Sequence, residues 1–234
     1  MQPELQPIRT GAPALTQEHA IRQNRVLRNT YWLLAISLIP TVIGAAIGTN
    51  LDLGFLRTSP TLSFFAILAI FYGWIFAIER NRNSPLGVAL LLGFTLFMGL
   101  LLGPLFQFVL GFKNGIQLVM MATGGTAAVF FGLAGLASST TRDFGFLGKF
   151  LFVGFIVIML AIVANIFFAS PALHLALLGM IILFSSAIIL WQVNAIVKGG
   201  ETNYVSATLT LYVAVYNLFS SLLQLLGIFG GERD

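Results

Sequence analysis

Long apolar runs separated by short polar breaks make up the chain after residue 30. Seven runs stand out, at residues 31–48, 61–78, 86–109, 116–137, 150–168, 173–193 and 204–229. Each has about 18 to 26 residues, enough for a helix rising 1.5 Å per residue to cross a ~30 Å hydrocarbon core. Barrel strands would alternate apolar and polar positions, whereas the run from Leu151 to Phe168 (LFVGFIVIMLAIVANIFF) is apolar on every face. The pattern predicts an all-α integral membrane protein with seven transmembrane helices. Residues 1–29 read as an N-terminal tail, 30–230 as one transmembrane domain and 231–234 as a short C-terminal tail.

The breaks have local causes. Pro60, Pro85 and Pro171 each stand at or just before a span start, where a missing N–H is tolerated. Asn81-Arg82-Asn83-Ser84 forms a turn before Pro85, and Gly199-Gly200 supplies a chain reversal before the last span. Pro40 and Pro104 fall inside or late in spans one and three, where they are expected to kink or end the helix.

Charge now adds direction. Of 234 residues, 58% are hydrophobic and 9% charged, with 12 Lys plus Arg and 8 Asp plus Glu. A soluble domain is roughly a quarter charged, so this composition excludes an ordinary soluble enzyme, a disordered chain and a nucleic-acid binder. With the N-terminus in the cytoplasm, nine basic residues lie inside: Arg9, Arg22, Arg25, Arg28, Arg80, Arg82, Arg142, Lys149 and Lys198. Arg57, Lys113 and Arg233 lie outside. The bias predicts a cytoplasmic N-terminus and a C-terminus on the outer side. The first 29 residues are too polar for a secretory signal. The tail places Arg22, Arg25 and Arg28 at three-residue spacing. That spacing fits either a short basic helix on an anionic leaflet or plain anchoring by a flexible tail; a cytoplasmic protease could also grip such a tail.

Candidate chemistry is sparse. There is no Cys, and His19 and His174 are the two histidines. No HExxH, Walker loop or Gly-x-Ser-x-Gly elbow occurs. All eight acids lie in tails, loops or span ends, so no catalytic carboxylate pair is buried. The residues therefore predict no enzyme, no metal site and no cofactor. Glu79 beside Arg80, at the inner end of span two, is either an interface latch or a solvated pair. Asn217, Ser220, Ser221 and Gln224 recur at i, i+3, i+4 and i+7, one polar stripe on span seven. Span five adds Asn165, and span six adds Ser185, Ser186, Gln192 and Asn194. Such residues serve either interhelical hydrogen bonds or a central polar cavity that would include Gln192. Small residues at Gly44 and Gly48, at Gly99 and Gly103, and at Gly124, Ala128 and Gly132 allow close helix approach.

The segment from Phe184 to Gly227, with GGETNY and LYVAVYNLF, resembles the last two spans of the Bax inhibitor-1 family. Gly124 to Leu151 is similar to its fourth and fifth spans, and Asn83-Ser84-Pro85-Leu86-Gly87 to one of its loops. The resemblance implies six helices around a central seventh. Some members are pH-sensitive calcium leaks that use two facing aspartates. Gln192 and Ala214 stand at the corresponding positions here, and a neutral pair neither titrates nor binds calcium strongly. The resemblance then implies the bacterial inner-membrane branch that modulates, as an inhibitor, the FtsH-type membrane protease. Its partners would be that protease, its membrane-bound regulators and the bilayer, with no nucleic acid. A pH-sensitive calcium or other ion leak is the alternative.

Overall fold

The computed structural model describes residues 12–51 and 59–232, with side chains from residue 21 onward apart from Pro60. Among these residues every regular element is a helix. The helices are α1 (Ala12–Thr49), α2 (Pro60–Arg80), α3 (Pro85–Leu101), α4 (Gly103–Leu110), α5 (Gly115–Ser139), α6 (Leu147–Phe168), α7 (Pro171–Val197) and α8 (Tyr204–Gly230). Seven stretches are long and apolar enough to cross a membrane, α3 and α4 together forming the third. The protein is a multi-pass membrane protein. We call the end of the bundle holding the start of α1 the near side, and the opposite end the far side.

Prolines and caps set the boundaries. Proline opens α2, α3, α4 and α7 within the first two helical positions, where the lost N–H had no intrahelical partner. Pro104 therefore breaks span three into α3 and α4, as its position predicts. Pro40 does not end α1. Threonine and serine hydroxyls around it donate back to carbonyls one turn earlier, Ser37 to Leu33 at 2.7 Å and Thr41 to Ser37 at 2.9 Å, and the helix continues. The Ser170 hydroxyl caps α7, and the Asn203 side chain caps α8 by accepting from Val205 and Ser206. Gly199 takes φ +79° at the reversal between α7 and α8, a conformation that glycine adopts without cost.

The segment read as a tail is helical from Ala12 and runs into the first span without a break. Arg22, Arg25 and Arg28 thus stand exposed on α1 itself.

Helix α8 is the centre of the bundle. It packs against α1, α2, α3, α4, α5 and α7, whereas α6 packs on α7. Twelve α8 residues are buried, against none in α6. Lipid takes the place of water around this bundle, so exposed Phe150, Phe152 and Phe168 on α6 are lipid-facing rather than misplaced.

The tightest approach joins α1 to α3 and α4. A methyl on Gly44 would collide with the Leu96 carbonyl, one on Gly48 with that of Leu100, and one on Gly99 with that of Thr41. Both GxxxG pairs are therefore spent on one intramolecular contact. Gly124 and Gly132 on α5 face open space instead.

Candidate functional site

The polar stripe of α8 opens on a cavity of about 410 Å³ in the far half of the bundle. Asn217, Ser220, Ser221 and Gln224 form one side. Asn165 of α6, His174 of α7 and Ser63 of α2 complete the polar lining. The buried Asn165 Oδ1 has no hydrogen-bond partner. Apolar side chains, Phe64, Ile67, Ile162 and Leu177 among them, line the rest, so the cavity is mixed; the orphan acceptor marks the place in it for a water. Ser220 donates within its own helix, to the Asn217 carbonyl at 3.2 Å.

Gln192 does not join this cavity. The cavity reaches along α7 only from His174 to Ile181, and Gln192 lies about 16 Å further at 1.5 Å per residue. It is 2% exposed, and its Nε2 is unpartnered, like the Ser185 hydroxyl. Ala214 is fully buried in the main apolar cluster with Ile189 and Val193. No group of three or more metal-ligating side chains occurs among the described residues.

The near side is held by a polar network. Glu79 pairs with Arg82 at 3.3 Å rather than with Arg80, because the turn after α2, closed by the Arg82 N–H on the Glu79 carbonyl at 3.4 Å, brings Arg82 back beside Glu79. The Ser206 hydroxyl donates to the same carboxylate at 2.9 Å, which joins the end of α2 to the start of α8. Asn203 donates to the Arg82 carbonyl at 3.2 Å and to Asn83 Oδ1 at 2.7 Å. Asn194 accepts from the Phe144 N–H at 2.9 Å and donates to the Arg142 carbonyl at 3.1 Å. The Lys198 ammonium donates to the Thr141 carbonyl at 2.9 Å. Two loops, 81–84 and 140–146, are thus tied to the start of α8 and the end of α7.

Sequence reasoning found the α8 stripe but not the Ser63 wall, nor the role of Asn203. An Asn directly before a helical run is a cap signal, and that signal was available.

Comparison with known proteins adds the family. The family model described as inhibitor of apoptosis-promoting Bax1 matches residues 23–231. An uncharacterised protein of Neisseria meningitidis serogroup A is 44% identical over 216 residues, covering 92% of this chain and 95% of the relative. The modulator of FtsH protease YccA of Escherichia coli K12 is 42% identical over 211 residues, covering 90% of this chain and 92% of the relative. A Pseudomonas aeruginosa protein of unassigned function is 42% identical over 207 residues, 88% of this chain and 90% of the relative. With its seven spans, its central last helix and a family match from residue 23 to residue 231, the chain belongs to the Bax inhibitor-1 family.

Proposed function

We propose that this protein is a bacterial inner-membrane modulator of the FtsH-type membrane protease, inhibitory in sense, acting by protein–protein binding within the bilayer and not as an enzyme. The observation that carries this reading is 42% identity to the Escherichia coli modulator along 90% of the chain. The neutral pair Gln192 and Ala214 supports it, because neither side chain changes charge with pH or offers calcium a carboxylate. The basic bias supports a cytoplasmic near side, with Arg22, Arg25 and Arg28. In this reading the exposed basic start of α1 meets the protease or its membrane-bound regulators, on the same side as the network that ties the 81–84 loop to the start of α8.

The test is overexpression in cells that carry the protease. A tagged copy should co-purify with it and lengthen the half-lives of its other membrane substrates. Unchanged half-lives with no co-purification would refute the proposal.

A second reading is an ion or small-solute conduit, supported by the far-side cavity with Asn165, His174 and the α8 stripe. Flux through liposomes containing the purified protein separates the two.

A further inference from the structure

A slot of about 880 Å³ opens sideways between α1 and α5, with α8 as its floor. The walls meet at the edge-to-face contact of Tyr31 with Phe130, ring centroids 6.0 Å apart. Ala35 and Leu38 on one side and Ala127 and Phe131 on the other leave the space open, and Phe106 of α4 lies at its far end. The lining is apolar except at a few points. Arg28 lies at the near mouth, Tyr216 in the floor, and Thr123 and Thr126 on α5. Arg28 is exposed and has no ion-pair partner among the described residues.

We infer that this slot is a binding site for one glycerophospholipid, held with an acyl chain along the slot and its phosphate on Arg28. Size, charge and depth favour this occupant. A 20-residue helix about 10 Å across and 30 Å long fills roughly 2,400 Å³, so a partner helix enters the slot by one face at most. A cavity of this volume falls instead at the upper end of the ~300–1,000 Å³ typical of small-molecule sites. From Arg28 to Ala45, the lining stretch of α1 rises about 26 Å, close to the ~30 Å hydrocarbon thickness. Arg28 precedes the apolar run that starts at Tyr31, which puts its guanidinium at headgroup level. A guanidinium there matches a phosphate in charge and in hydrogen-bonding geometry. Trp32, 66% exposed at the same mouth, is the amphipathic ring type that settles at a membrane interface. This lipid site shares Arg28 with the protease reading but rests on the slot and does not depend on that reading.

The experiment uses the full chain purified in mild detergent and exchanged into bilayer discs of phosphatidylglycerol and phosphatidylcholine. Native mass spectrometry after release from the discs counts retained lipid. The wild type should keep one phospholipid per chain, with phosphatidylglycerol preferred. Ala127→Trp, which fills the slot, should abolish retention. Arg28→Gln should lower it about tenfold, the scale of one charge-assisted contact. Because a Trp variant can misfold, Phe131 is also replaced by a photoreactive phenylalanine analogue of similar shape. Irradiation in the membrane should add the mass of one phospholipid. Equal retention by wild type and both variants, or a photoproduct with protein instead of lipid, would overturn the inference.

Discussion

The hydroxyl of Tyr212 lies 2.8 Å from that of Thr41, 171 positions away in the chain. The same tyrosine reaches the Thr95 carbonyl at 3.3 Å, so one side chain joins the first, third and seventh spans. Its ring meets Phe94 edge-on at 6.1 Å. Replacing Tyr212 with Phe keeps this ring packing and removes only the hydroxyl. A double-mutant cycle of Tyr212→Phe with Thr41→Val should give a coupling of about 0.6 kcal/mol, and no more than about 1.7. Reversible unfolding in mixed micelles measures it. Zero coupling would mean that the two hydroxyls do not interact in the membrane.

Glycines of identical spacing should behave in opposite ways. Gly99 faces the Thr41 carbonyl with no room for a methyl, whereas Gly132 faces open space. Gly99→Ala forces α1 and α3 apart and should cost about 1–3 kcal/mol, the usual range for overpacking. Gly132→Ala should be neutral or stabilising by up to ~1 kcal/mol, because alanine is the better helix former. Thermal unfolding of the two purified variants compares them directly.

Asn203 combines two roles that substitution can separate. Its carbonyl oxygen caps α8, and its amide nitrogen holds the loop at Arg82 and Asn83. Asn203→Asp keeps the cap and loses the two donated bonds. Asn203→Ala loses both and should cost about 1 kcal/mol more than the Asp variant. Limited proteolysis of the loop at 81–84 should be faster in both variants, and unfolding should occur earlier in the Ala variant than in the Asp variant.

Carboxylates can be placed at the two positions that the resemblance pairs with the family's aspartates, Gln192 and Ala214. Wild-type protein in liposomes should pass no calcium above the empty-vesicle rate at any pH from 5 to 8. Gln192→Asp combined with Ala214→Asp should create a pH-dependent leak, since paired carboxylates bind calcium and titrate together. Wild-type flux equal to that of the double variant would favour the conduit reading over the modulator.

The spans were legible because hydrophobic length decides them: six of the seven predicted runs lie inside one observed helix each, and the third extends over α3 and α4. Pro104 was legible for the same kind of reason, a missing N–H that acts within one turn. What lay hidden was pairing between distant helices. Gly44 and Gly99 read as equivalent to Gly124 and Gly132 along the chain, yet only the first two are covered. Exposure on an apolar helix leaves no mark in composition when lipid and protein interior are equally apolar. The α8 stripe showed which face was polar, but not that Gln192 lay too far along α7 to share its cavity. The slot beside α1 had no signature at all, because an absent contact is not written in either helix.

Helix α6 has no buried residue and rests on α7 alone among its close neighbours, yet its Asn165 forms part of the far-side cavity wall. A transmembrane helix satisfies its own backbone hydrogen bonds in lipid and is stable there before it docks. In assembly, α6 is thus the piece with least to gain by joining the others and least to lose by leaving. The wall it lends to that cavity is therefore held through one helix–helix contact, with lipid over its remaining faces.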